Sequence, residues 1–265
     1  MPVADGHDDT VIPGETLKIA VCIKRVPDTE MRFAIAGDGK SLDQSGLKYD
    51  ISDFDGYAVE VALRLTEKDG GDVAVICLGP DGVQETIRKA FSMGAARGVQ
   101  LKADTVPFDG SAIAHALATE LRDGGYDLVL FGRQSADAGN GTVGPMTAHL
   151  LGLPCVTAIS HLELADGRGT AHRELEGSAE SVEFPLPAVL TIDEGIARPR
   201  LPSLKGIMAA KKKTIDVRPA QLGEERLTVQ TMALPPERAA GRIVGEGPDA
   251  VPELVRLLKT EAKVL

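Results

Sequence analysis

Gly132-Arg133-Gln134-Ser135-Ala136-Asp137-Ala138-Gly139-Asn140-Gly141-Thr142-Val143-Gly144-Pro145 sets the reading of this 265-residue chain. It follows an apolar run, Tyr126-Asp127-Leu128-Val129-Leu130-Phe131, with the pattern of a buried parallel strand. It leads into Met146-Thr147-Ala148-His149-Leu150-Leu151, a short predicted helix stopped by Gly152. Strand, glycine-rich loop and helix together present free backbone N–H groups and a positive dipole end to a phosphate. The glycines let the backbone approach an anion closely, and Asp137, Asn140 and Thr142 can bond ribose or phosphate oxygens. An ordinary polar loop between strand and helix has a similar composition, so the loop alone is a weak signal.

On the N-terminal side the same alternation repeats. Leu17 to Ile23 reads as the first strand, running into the loop Lys24-Arg25-Val26-Pro27-Asp28-Thr29. Residues 31–50 are turn-rich, with room for a small hairpin. Phe54, Tyr57, Ala58, Val61, Ala62 and Leu65 form one apolar stripe on a helix capped by Ser52 and ended by Gly70-Gly71. Val73 to Leu78 makes a strand, and Val83, Ile87, Ala90 and Phe91 line the next helix. Val99 to Leu101 is a short strand, and Asp109 or Ser111 caps a third helix carrying Ile113, Leu117 and Leu121. Continuously apolar strands between amphipathic helices imply a parallel sheet covered on both faces. Ligands of such sheets bind beyond the C-terminal strand ends, so the loops beginning at Lys24, Ser52, Gly79 and Gly132 converge on one crevice.

Composition narrows the function classes. Hydrophobic content is 43%, enough for a core, and no apolar run approaches the roughly 18 residues that span a membrane. The formal net charge of −10 argues against a nucleic-acid partner, whose phosphates demand a basic surface. Residues 1–16, with Asp5, Asp8, Asp9 and Glu15, have neither the basic nor the apolar region of a signal peptide and read as a disordered extension. Cys22, Cys77 and Cys155 lack metal-type spacing and read as free thiols of a reducing cytoplasm.

After Pro154 the pattern changes. His161–Glu163, Thr170–Leu175 and Ser181–Phe184 alternate like antiparallel strands, and Pro185 to Thr191 returns to a buried one. Beyond Asp193 the chain is basic and punctuated by proline. Lys211 to Lys213 read either as a solvated helix C-terminus or as the end of a docking patch formed by Leu204, Ile207 and Met208. Residues 218–248 hold little core-forming pattern and read as a path across another chain. Val251, Leu254, Val255, Leu258 and Ala262 share one helical face, which either closes its own domain or meets a second subunit. The organisation is thus an extension (1–16), an α/β nucleotide-binding domain (17–193) and a C-terminal arm (194–265).

Several blocks resemble the β subunit family of electron transfer flavoproteins, over roughly Leu17 to Leu265. Val21-Cys22-Ile23-Lys24-Arg25-Val26 is similar to the family's opening strand and basic turn. Ala58-Val59-Glu60 with Ala62-Leu63-Arg64-Leu65 fits its first helix, and Gln84 to Arg88 with Met93-Gly94-Ala95 its second. Arg173-Glu174-Leu175-Glu176-Gly177, then Glu180, Val182-Glu183 and Leu186-Pro187-Ala188-Val189, resemble the family signature, with Ser178 where a second glycine is usual. Leu204, Ile207-Met208 and Ala210-Lys211-Lys212-Lys213 resemble the segment that follows.

The resemblance implies a three-layer fold like that of the adenine nucleotide alpha hydrolases, with an arm embracing a partner. It implies a heterodimer whose alpha subunit holds most of the FAD, while this chain holds AMP and does no bond chemistry alone. Carried over by position, the nucleotide site would be Cys22, Ser52, Asp53, Phe54, Asp55, Leu78, Gly132, Arg133, Gln134, Ser135, Ala136, Asp137, Ala138, Gly139, Asn140, Gly141, Thr142 and Val143. Leu204, flanked by Ile207 and Met208, would dock flavin dehydrogenases such as acyl-CoA dehydrogenases. Electrons would pass to an ETF-quinone oxidoreductase-type acceptor and the respiratory chain. Arg200, Leu201 and Pro202 depart from the family's usual flanking residues.

An electron-bifurcating subtype carries a second FAD in place of AMP. Val26-Pro27-Asp28-Thr29, Val143-Gly144-Pro145 and Glu261 to Leu265 resemble it. Ala138-Gly139-Asn140-Gly141 in place of its Gly-Asp-Thr-Ala-Gln run, with Phe54 and Met146-Thr147-Ala148, favours AMP. A free-standing ATP-binding enzyme of this architecture would want a glycine-rich phosphate loop after the first strand. A nucleotide-sensing stress protein would not need the tail beyond Asp193.

Overall fold

Strands that carry an unbroken apolar run, as Ile19 to Ile23 does, form only where both faces are covered, and the first strand shows how this is met here. The computed structural model of the chain describes residues 16–237 and 240–265. In β1 (Leu17–Ile23), Ile19, Val21 and Ile23 enter one cluster, with Ala58 and Ala62 of α1 (Asp53–Asp69) and Ile87 and Phe91 of α2 (Val83–Met93). Ala20 and Cys22 point to the other face, against Leu117 and Leu121 of α3 (Gly110–Leu121) and Ala148 of α4 (Val143–Leu151). The two-residue period of a strand thus sorts one apolar run into two helical layers, giving the expected three-layer α/β fold.

Between these helices run β4 (Gly71–Gly79), β5 (Arg97–Lys102) and β6 (Leu128–Gly132), and the later strands are β7 (Cys155–Ala165), β8 (Arg168–Leu175), β9 (Ser178–Pro185), β10 (Ala188–Ile192) and β11 (Asp216–Pro219). They join one sheet in the order β11-β5-β4-β1-β6-β10-β7-β8-β9. Every pairing from β11 to β7 is parallel, and β7, β8 and β9 are antiparallel, as their alternating sequences predict. Asp109 caps α3, accepting the N–H of Ser111 at 2.8 Å.

Three expectations need correction. Residues after Ile23 do not form an open loop: β2 (Arg25–Pro27) pairs antiparallel with β3 (Tyr49–Ile51). Val26 is buried there, and the Arg25 guanidinium lies 3.4 Å over the Tyr49 ring. The domain does not end at Asp193, because β11 adds to the edge of β5, and every residue of β11 is exposed. Residues 218–248 also cross their own domain. The N–H groups of Gly223 and Arg226 bond Ala112 O (3.1 Å) and Asp109 Oδ2 (2.7 Å), and that of Met232 bonds Gly39 O (2.8 Å).

The arm carries α5 (Leu204–Lys212) and α6 (Val251–Leu257), the latter continuing as a wider coil through Leu258–Ala262. Leu257 is buried, while Val251, Leu254 and Val255 stand exposed. The expected disordered extension falls, apart from residue 16, outside the described residues. Among the described residues no helix is long and apolar enough to cross a membrane.

Candidate functional site

The chain leaves β1 for β4 on one side and later returns for β6 on the other, so the C-terminal ends of β1 and β6 part at a switch point. Asp55, in the first turn of α1, bridges the gap. Its Oδ2 accepts the N–H of Lys24 at 2.7 Å and its Oδ1 accepts the N–H of Gly132 at 3.0 Å. A side chain at 132 has no room, since a Cβ would stand 2.5 Å from Asp55 Oδ1. Burial pushes the Asp55 carboxyl up to about 7, against the pull of those two N–H donors and the Lys24 ammonium.

Ser52 sits at the N-cap of α1, but its hydroxyl does not bond that helix. The Oγ instead accepts the N–H of Ala136 at 3.2 Å, tying the glycine-rich loop to the start of α1, which corrects its expected capping role. Arg133 fixes the loop from the opposite side. Its N–H bonds Ile192 O at 2.8 Å and its guanidinium pairs with Asp193 at 2.9 Å. Beyond it the loop closes on itself through Gly139 N–H to Ser135 O (2.9 Å), and Gly139 and Gly141 take φ of 65° and 61°, where side chains are disfavoured.

Asp137 pairs with Lys24 Nζ at 2.7 Å and accepts the N–H of Ala138 at 2.8 Å. Burial opposes its ionisation, but Lys24, Ser135 and that N–H outweigh burial and hold it below the usual carboxylate range. Past Gln134, Ala138 and the exposed Asn140 comes Thr142, at the N-cap of α4 without bonding that helix through its side chain. The N–H groups of Val143 and Gly144 precede the first helical bond, from Met146 N–H to Thr142 O (3.0 Å), and Pro145 has none to satisfy. The structure thus presents at this helix start the free N–H groups that the sequence of the loop predicts. Cys22 and Leu78 lie buried beneath the crevice, and burial raises the Cys22 thiol far from any nucleophilic role. Phe54, beside the exposed Asp53, is half-buried and meets Tyr57 edge-on at 6.0 Å.

The structure thus brings the predicted loop, Ser52 and Asp55 together with Lys24, which opens the first of the loops expected at the crevice, and it adds Asp193. Asp193 follows the end of β10 on the crevice side, which is the signal that could have singled it out. Leu204, Ile207 and Met208 lie apart, on exposed parts of α5. The segment after β1 is taken up by β2, paired with β3. A cavity of about 480 Å³ opens at the opposite end of the sheet, where Lys18 bonds the Gly124 carbonyl and Arg218 pairs with Glu120.

A family model described as the electron transfer flavoprotein domain matches residues 40–222. The electron transfer flavoprotein subunit beta of Bacillus subtilis (strain 168) is 36% identical over 259 residues, covering 94% of this chain and 100% of the relative. That of Syntrophomonas wolfei is 37% identical over 250 residues, 94% of this chain and 98% of the relative. The human subunit beta is 35% identical over 246 residues, covering 90% and 96%. Fold, signature segments and full-length similarity agree: the chain belongs to the electron transfer flavoprotein family, among its beta subunits.

Proposed function

We propose that this chain is the nucleotide-holding half of a heterodimeric electron carrier. AMP lies in the crevice, with its phosphate on the N–H groups of Val143 and Gly144 and its ribose hydroxyls toward Asp137. The observation that carries the reading is the helix start of α4, presented at a switch point that Asp55 and Ser52 hold in shape. An alpha subunit holds most of the FAD, which supplies the electron-transfer chemistry when bound. This chain contributes binding, orientation and the docking face on α5, where flavin dehydrogenases such as acyl-CoA dehydrogenases deliver electrons bound for a quinone oxidoreductase-type acceptor. Its apolar exposed patch at Leu204, Ile207 and Met208 supports that assignment.

The test is to co-express the chain with its alpha partner, denature the purified complex and quantify the released nucleotides. One FAD and one AMP per heterodimer is the expected result, with less AMP retained by Asp137→Ala. Two FAD and no AMP would instead assign the crevice to a second flavin and the protein to the bifurcating type. Failure to bind any partner, with only ATP retained, would overturn the reading.

A further inference from the structure

The docking face is unusual in how little covers it: Leu201 is 92% exposed, Leu204 83% and Met208 67%. Apolar side chains on a loose segment would fold back onto the nearest apolar surface or require ordering at each encounter. Here the segment is gripped from below. Glu60 of α1 is 3% exposed, and Arg200 engages it three times: through Nε to Oε2 (2.8 Å), Nη2 to Oε1 (3.2 Å) and its own backbone N–H to Oε2 (3.1 Å). The guanidinium also meets Glu67, with Nη2 to Oε2 at 3.0 Å and Nη1 on Oε1. Glu60 and Glu67 are two turns apart on one face of α1, so a single planar fork reaches both.

Burial opposes ionisation of Glu60, but Arg200 and Arg64 outweigh it and keep the carboxyl below its ordinary range. At the other end of α5, Arg88 donates to the carbonyls of Ala210 (2.8 Å), Lys211 (3.4 Å) and Lys213 (3.3 Å). Lys213 is not simply solvated: its Nζ donates to Ala95 O at 2.6 Å and lies 5.1 Å over the Phe91 ring. A buried carboxylate adds little to the stability of a helix that an apolar residue would pack as well. What Glu60 does supply is a fixed point for the chain just before the docking patch.

We propose that Arg200 is a positioning residue, whose guanidinium, held by Glu60 and Glu67, keeps Leu201–Met208 in docking-ready form so that a donor flavoprotein meets a preformed apolar patch. This rests on the assignment of docking to Leu204. The experiment uses the nucleotide-loaded heterodimer with an acyl-CoA dehydrogenase as donor, and compares parent, Arg200→Gln, Arg200→Lys, Glu67→Gln and Leu204→Ala. Arg200→Gln is expected to raise the KM for the heterodimer by about tenfold while leaving kcat within about twofold, because ordering has moved into the encounter. Arg200→Lys recovers only part of this, since an ammonium cannot span both carboxylates. Amide exchange across Leu201–Met208 accelerates in the free Arg200→Gln heterodimer.

An unchanged KM in Arg200→Gln beside a raised KM in Leu204→Ala would overturn the clamp and leave the docking face standing. Unchanged KM in both would remove the docking face and the clamp with it. If Arg200→Gln fails to fold, Glu67→Gln alters an exposed side chain and removes one half of the grip. It must then raise KM for the proposal to hold.

Discussion

A carboxyl that is 6% exposed and joins two strand ends is under opposing demands at position 55. Two N–H groups favour its charged form, and the apolar surroundings favour its neutral form; the second wins, with a pKa of about 7. An unfolded Asp titrates near 4, so between about pH 4 and 7 the folded chain holds a proton that the unfolded chain has lost. The contribution of Asp55 to stability is therefore complete below about pH 4 and is lost as pH rises through about 7. Asp55→Asn cannot titrate, and its amide leaves one of the two N–H donors without an acceptor, so the variant is less stable throughout. The stability gap between parent and Asp55→Asn should shrink by up to about 1.4 kcal/mol per pH unit from pH 5 to 7, measured by urea unfolding. A gap that stays constant across that range would show that Asp55 does not titrate there.

Among the elements, those built by side-chain burial were legible in the sequence and those built otherwise were not. The runs at Leu17–Ile23 and Leu128–Phe131 announce strands because both faces are covered, and the glycines of 132–144 announce the loop. Strand β11 pairs along the backbone with β5 and through Arg218 with Glu120, buries no side chain and so leaves no apolar pattern, while β2 is short and ends at Pro27. The site was legible as a place but not as a set of bonds. Lys24 and Asp137 are 113 residues apart, and Arg200 and Glu60 are 140 apart, so no local pattern links either pair. The seat of α5 is of the same kind. Gly206 lies so close to α2 that a Cβ would stand 2.4 Å from the Ser92 carbonyl oxygen. Gly206→Ala should lift α5 from α2 and cost about 1–3 kcal/mol, read as a fall in Tm together with a raised donor KM. A Tm equal to the parent's would mean that α5 has slack on that side.

At the scale of the whole molecule, the crevice proposed for the nucleotide and the face proposed for the donor are served by the same helix. Helix α1 carries Ser52 and Asp55 at its start and Glu60 and Glu67 along its length. Val251, Leu254 and Val255 of α6 stand exposed, a face that the proposed heterodimer would cover.

Strand β10 lies between β6 and β7 although both precede it in the chain, and the loop after β6 hangs on Ile192 O and Asp193. The crevice is therefore a late product of biosynthesis. The stretch from Gly132 to Thr142 leaves the ribosome with nothing to hold Arg133, and it gains that anchor only after some sixty further residues have emerged. Nascent chains arrested before Ala188 should be cut readily by protease within residues 132–142, and chains extended past residue 225 should resist. Equal resistance at both lengths would mean that the loop forms without its anchor. On this order of events the crevice proposed for the nucleotide takes shape at the close of synthesis, on a sheet whose last central strand has just been inserted.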